Sequence, residues 1–316
     1  MGIWLWIGLH RRKPDHCSTQ CRLRPCLRRQ GRLDLRQEGA RHMRALIAPI
    51  AAALMIAGCS PGPADPETLY QTSTITALMA GAYDGRTRCG QLTARGDFGL
   101  GTFNALDGEM VVLDGVVYQV RVDDRVSRAG DAMRTPFAVV TFFDADAIST
   151  VVGPIALAQL RSQVDSLLAK PNLPYAVRID GLFKRVTVRS VPRQNRPYPE
   201  LAEVVKDQAI FELHDVRGTV IGFALPQALG ALNVAGHHWH FLTADRNAGG
   251  HVLDLVADKV TICIDDCDSL YVAFAAAGKL TRADLTPPDP DVLHRIENQP
   301  MCRPTHPTLP FAGNCA

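Results

Sequence analysis

The chain is poor in aromatic residues, 6% of its 316, and has no apolar run approaching the roughly 20 residues needed to cross a bilayer as a helix. That excludes a helical membrane span. There is no glycine-rich nucleotide-binding motif, so nothing in the chain points to an organic cofactor. An internal repeat is also missing, which argues against a solenoid. What remains, 47% hydrophobic and 21% charged residues, suits a globular protein of one large domain or two moderate ones. The formal charge of +2 hides an asymmetry. Residues 59–316 keep 23 of the 34 basic and 29 of the 32 acidic residues, a net charge of −6. The part expected to fold is therefore acidic, and the basic N-terminal end does not argue for nucleic-acid binding.

The basic end divides at Met43. Met43-Arg44, an apolar run from Ala45 to Ala57 and then Gly58-Cys59 have the layout of a secretory signal. Ile56-Ala57-Gly58-Cys59 resembles a bacterial lipobox, whose cysteine is lipidated and becomes the mature N-terminus. Residues 43–58 are accordingly expected to be a signal peptide. The protein would then be exported, periplasmic or membrane-anchored through Cys59. Residues 1–42 read as an Arg-rich extension upstream of the true start. A zinc knuckle using His16, Cys17, Cys21 and Cys26 is the other reading of that stretch. Residues 59–67, rich in proline, form a stiff tether. Export permits disulfides; Cys302–Cys315 and Cys263–Cys267 are the candidate bridges, leaving Cys89 free.

The pattern from residue 68 onward is that of an α+β fold, with two sheet-rich lobes of mixed or antiparallel strands and a few packed helices. The boundary is expected near residue 190, giving an N-terminal lobe 68–190 and a β-rich lobe 191–316. Ile75, Leu78, Met79 and Ala82 share one face of a helix over Thr72–Tyr83. Met110 to Leu113, Asp114-Gly115, and Val116 to Val120 spell a hairpin with a two-residue turn. Thr150 and Pro154 open a helix with Ile155, Leu160, Val164, Leu167 and Leu168 inward. Strands follow at Tyr175–Asp180 and Leu182–Val191, and a short helix at Tyr198–Asp207. Further strands are expected at Ala209–Val216, Thr219–Ala224, His237–Thr243, His251–Ala257 and Lys259–Ile264, then helical turns over Asp268–Ala276.

Gly236-His237-His238-Trp239-His240 holds three histidines in four positions. Side chains alternate along a strand, so His238 and His240 project from one face while His237 joins Trp239 and Phe241 on the other. The turn-forming stretch 244–250 then leads into His251. A hairpin closed there sets His251 almost opposite His240, and three imidazoles converge on one point with a fourth coordination position open. That is the layout of a catalytic zinc site. No cysteine lies in the group, which favours zinc over a thiolate-bound metal. Any one of these histidines alone would be an ordinary structural residue; the spacing of all three carries the reading.

Leu69-Tyr70-Gln71, Gly101-Thr102-Phe103, Leu106-Asp107-Gly108-Glu109, Arg189-Ser190-Val191-Pro192-Arg193-Gln194 and the histidine hairpin together resemble the α-acetolactate decarboxylase family over residues 68–300. The resemblance implies conversion of (S)-2-acetolactate to (R)-acetoin and carbon dioxide by a zinc-dependent homodimer. It assigns the metal to His238, His240 and His251, and other active-site roles to Glu109, Arg189 and Glu297. The implied partner is a small 2-hydroxy-3-keto acid.

This chemistry suits the residues. The ketone beside the departing carboxylate is its own electron sink, and a metal with an open face steadies the enolate. Arg189 ends an alternating strand and offers a planar fork to a carboxylate or an oxyanion; without the resemblance it would pass for a solvated strand residue. Glu109 is placed to orient substrate and Glu297 to give a proton, a role that needs a raised pKa. A zinc hydrolase with Glu109 as base, or a non-catalytic periplasmic metal-binding lipoprotein, are the alternatives.

Overall fold

Alternation at period two dominates the chain, and strands dominate the fold. The protein is described here by a computed structural model covering residues 66–274, 281, 284–286 and 290–298. The expected signal peptide, the expected upstream extension, most of the expected tether and the candidate bridge Cys302–Cys315 lie outside the described residues.

A mixed seven-stranded sheet has the order β14-β1-β8-β3-β4-β5-β6. Its strands are β1 (Thr68–Thr72), β3 (Phe98–Thr102), β4 (Glu109–Leu113), β5 (Val116–Val120), β6 (Val126–Arg128), β8 (Ala138–Thr141) and β14 (Ser269–Ala273). Only the β1–β14 pairing in it is parallel. The hairpin expected at Asp114-Gly115 is present: Leu113 pairs with Val116, and the two turn residues take φ of 52° and 76°, as a two-residue hairpin of this twist requires. The short strands β2 (Thr87–Arg88) and β7 (Arg134–Thr135) pair with each other beside it.

The second sheet contains β9 (Ala147–Ala156), β10 (Tyr175–Ser190), β11 (Ala209–Leu225), β12 (Gly236–Thr243) and β13 (Gly249–Asp266), in the order β10-β11-β12-β13-β9. A further antiparallel ladder joins β10 to β13, so the pairing β10–β11–β12–β13–β10 returns on itself. The two sheets pack face to face. Leu69, Phe98, Leu100, Val111 and Val139 from the first meet Ala176, Ile221, Phe223 and Leu242 from the second, all buried. A separate core forms where α3 (Leu157–Asp165) lays Leu160 and Val164 on the second sheet. The remaining helices are α1 (Ile75–Met79), α2 (Cys89–Thr93), α4 (Leu201–Val204) and α5 (Pro290–Asn298). Buried side chains of α1, α4 and α5, among them Ile75, Leu201 and Ile296, gather with Leu106, Phe137 and Val191 into a third core.

Several expectations need correction. The helix over Thr72–Tyr83 shrinks to α1, because Thr72 belongs to β1 and the Thr74 hydroxyl caps the helix by accepting from the Ala77 amide at 3.2 Å. The helix expected to open at Thr150 is strand until Ala156: β9 alternates half-buried and exposed residues throughout, and Pro154 is tolerated because β9 lies at a sheet edge. Helix begins only at Leu157, yet Leu160 and Val164 do face inward. The described part of the turns expected over Asp268–Ala276, residues 268–274, is not helical; β14 pairs beside β1, with Tyr271 stacked on Tyr70 at 5.4 Å. Strand pairs expected to be separate are single long strands β10, β11 and β13, and β10 and β13 are kept in register by irregularities such as that between Leu182 and Phe183.

The sheets also do not part at residue 190. β10 ends there but pairs along its length with β11 and β13, while β14 returns to the first sheet. Cys263 and Cys267 form no disulfide, and both are buried thiols. Four residues of nearly extended chain separate their Cα atoms by roughly 10 Å or more, beyond the reach of an S–S bond. Burial pushes the Cys89 thiol up to about 11.

Candidate metal centre and active site

The His-x-His pair lies on β12, with His240 directly opposite His251 on β13. His251 is in turn opposite Arg189 on β10. Residues opposite one another across strands share a face, so His240, His251 and Arg189 form one row across three strands. His238, two residues before His240, joins them. Their rings stand 5.1 to 5.3 Å apart between centroids, and one nitrogen of each lies within 4.8 Å of those of the others. All three are buried, at 7%, 1% and 3% exposure.

These histidines suit a metal by their chemistry as well as their spacing. Burial, helped by the Arg189 cation, pulls the His238 pKa down to about 3 and holds His240 and His251 well below 6.5. All three are thus neutral at pH 7, the form that ligates. The His240 Nδ1–H donates to the Met110 carbonyl at 2.8 Å, which fixes its tautomer and leaves Nε2 as a free lone pair. Nδ1 of His238 is buried without a hydrogen bond among the described residues. Three neutral imidazoles with no thiolate suit zinc among the common metals. His237 faces away, as expected. Its Nε2 sits 2.9 Å from Asp165 and its ring packs edge-on against Trp239.

Two carboxylates close the cluster. Glu109 arrives from the other sheet, at the start of β4, after a turn in which Ala105 and Leu106 both take positive φ (61° and 53°). Such angles are costly outside glycine and tend to gather at functional sites. Its Oε2 lies 3.7 Å from His240 Nε2. Glu297 comes from α5, with Oε2 3.6 Å from His238 Nε2, His251 Nε2 and Arg189 Nη2 alike. Its own carbonyl accepts from His251 Nε2 at 2.6 Å. Burial raises the Glu109 pKa to about 7, against the pull of Arg189, and raises Glu297 as well. The six residues singled out from sequence thus meet at one cavity that opens to solvent. Its apolar wall is Ile75, Leu78, Leu106, Phe137, Val191, Leu201 and Val205.

The family model described as Alpha-acetolactate decarboxylase matches residues 69–287. The chain belongs to the alpha-acetolactate decarboxylase family. An alpha-acetolactate decarboxylase from Methanosarcina mazei is 42% identical over 231 residues, 73% of this chain and 80% of that protein. One from Raoultella terrigena is 40% identical over 73% of this chain and 89% of its own length. The crystal structure of alpha-acetolactate decarboxylase from Bacillus subtilis strain 168 superposes with a TM-score of 0.72 at 37% identity, covering 73% of this chain and all of that one. As a family member the protein is a decarboxylase, and its α+β, sheet-rich architecture is that of the family.

Sequence reasoning missed three supporting parts of the site. The Met110 carbonyl that holds His240 is backbone and leaves no residue signal. The apolar wall comes from five separate segments of chain. Thr102 stands out in the sequence only as part of a motif; its hydroxyl donates to the Gly108 carbonyl at 2.7 Å and steadies the turn into Glu109.

Proposed function

We propose that this enzyme binds zinc through His238, His240 and His251 and converts (S)-2-acetolactate to (R)-acetoin and carbon dioxide. Acetolactate decarboxylation is supported by relatives of that name at 38–42% identity. The observation that carries the site assignment is the convergence of three buried neutral imidazoles, two buried carboxylates and one buried arginine on a single cavity.

The reaction breaks the bond between C2 and the carboxylate. Carbon dioxide departs, and the electron pair moves into the neighbouring carbonyl to give an enediolate. A proton added at C2 then yields acetoin. Bound zinc would supply a Lewis acid for the developing oxyanion. The protein's own residues supply the rest. Arg189 binds and orients the anionic substrate through charge-assisted hydrogen bonds. Glu297, whose pKa burial raises, is the proton donor. Glu109 orients the substrate from the opposite sheet. The apolar wall excludes water and takes the two methyl groups.

The test is acetoin formation from racemic acetolactate, with chiral analysis of product and residual substrate, before and after chelation and zinc repletion. Zinc-loaded protein that makes no acetoin would refute the reading, as would full activity after complete chelation. The Met43 start and Ile56-Ala57-Gly58-Cys59 support export as a lipid-anchored protein, and the family resemblance supports a homodimer.

A further inference from the structure

A guanidinium can bind a carboxylate with two parallel hydrogen bonds only if it presents one whole edge. The Arg189 Nη1 is already engaged: it donates to Gln208 Oε1 at 3.1 Å and to the Ile296 carbonyl at 2.7 Å. Nε, by contrast, is buried with no hydrogen bond among the described residues, and Nη2 has only the Glu297 carboxylate, at 3.6 Å. Because the group is planar, fixing Nη1 sets the direction of the Nε–Nη2 edge. Gln208 reaches Arg189 because β11 begins at the next residue and pairs Ile210 with Arg189. Gln208 then lies on the diagonal, on the same side as Ile210. Its amide oxygen accepts without carrying charge, so the arginine keeps its full positive charge for a ligand.

We propose that Gln208 is a positioning residue that holds Arg189 by Nη1, so that the Nε–Nη2 edge meets the substrate carboxylate. This rests on the reading above that Arg189 binds substrate. Two replacements separate the acceptor from the shape. Gln208→Met keeps the length and removes the acceptor, freeing the guanidinium to turn; Gln208→Glu keeps an acceptor but adds a charge that competes with the substrate anion.

The experiment measures kcat and KM for acetolactate with the zinc-loaded full chain, alongside zinc content and thermal stability. Gln208→Met is expected to lower kcat about tenfold, the worth of one hydrogen bond to a charged group, with zinc content unchanged. Gln208→Glu is expected to hold kcat within about threefold and raise KM several-fold. In an Arg189→Lys background, which has no Nη1 to hold, Gln208→Met should cost less than about twofold more. A purely structural role would move both variants alike and would persist in the lysine background. Near-normal kinetics for Gln208→Met, equal effects of Met and Glu, or a full tenfold loss in the lysine background would each overturn the proposal. Near-normal Arg189→Lys would instead sink the reading of Arg189 on which it rests.

Discussion

His240 donates its Nδ1–H to Met110, and Arg189 has Nη1 committed to Gln208 and Ile296, so both of these site residues carry a second contact that sets their direction. Replacing a ligand and replacing a substrate contact should therefore give different phenotypes. His238→Ala, His240→Ala and His251→Ala are expected to lose tight zinc binding, measured by elemental analysis after gel filtration. Full occupancy in all three would remove the assignment. His237→Phe should keep its metal, since that ring faces Asp165 and Trp239. Arg189→Lys and Glu297→Gln are expected to keep zinc and lose roughly 10²–10³ in kcat, typical of removing a charged transition-state contact or a proton donor. Folded, zinc-loaded variants with normal turnover would count against both roles. Glu109 makes a separate prediction in the metal-free protein. Burial raises its pKa from 4.5 to about 7, so the folded state binds its proton more tightly than the unfolded chain does. Its contribution to stability then falls as pH rises from about 4.5 to 7. Glu109→Gln removes that penalty, so the variant should gain on the wild type as pH rises, by at most about 3 kcal/mol at pH 8. Metal-free melting curves at pH 5 and pH 8 test this. A difference between the two proteins that does not change with pH would contradict it.

At the scale of elements, the hairpin at Asp114-Gly115 and the histidine strands were legible because turn chemistry and alternation are local signals. Helix starts were less so. Pro154 reads as the first residue of a helix, and only the pairing of β9 with β13, more than a hundred residues away in sequence, makes it an edge-strand proline. In the same way, Ser269–Ala273 has no strand signal stronger than its chance to pair beside β1. The site was legible wherever one strand carried it, as at His238 and His240. It was not legible at Met110 and Gln208, whose roles depend on the neighbours that distant chain brings. Gly250, which leads into His251, sits where three strands meet. Its φ is 143°, and a Cβ there would come within 2.4 Å of the Arg189 carbonyl. Gly250→Ala should therefore push β13 off β10 at the row that carries Arg189, His251 and His240. A loss of about 1–3 kcal/mol in stability and a clear fall in zinc affinity are expected. Chemical denaturation and a competitive zinc titration would measure them. Unchanged affinity would mean that the ligand row tolerates displacement of its backbone.

At the scale of the molecule, the candidate ligands and carboxylates draw on both sheets and on α5. His238, His240 and His251 come from the second sheet, Glu109 and the Met110 carbonyl from the first, and Glu297 from α5. Where the chain resides is a separate question, addressed at Cys59: a fatty-acid probe should label the wild type in cells and not Cys59→Ala, and equal labelling of both would end the lipoprotein proposal. The metal-linked prediction concerns stability. An ion that binds the folded protein and not the unfolded chain stabilises it by RT ln(1 + [Zn]/Kd), about 4 kcal/mol at a thousandfold excess over Kd. In a protein of this size each kcal/mol moves the melting point by roughly 2–4 °C, so chelation should lower Tm by on the order of 10 °C. Three metal-free buried imidazoles whose pKa values are held below 6.5 favour the unfolded chain as acid protonates it. The chelated protein should therefore melt lower at pH 5 than at pH 7, although the two raised carboxylates offset part of that loss. The control is His240→Ala, which should melt alike with zinc and with chelator. A zinc-dependent rise in Tm of the same size in that variant, or none in the wild type, would show that the histidine row does not hold the ion.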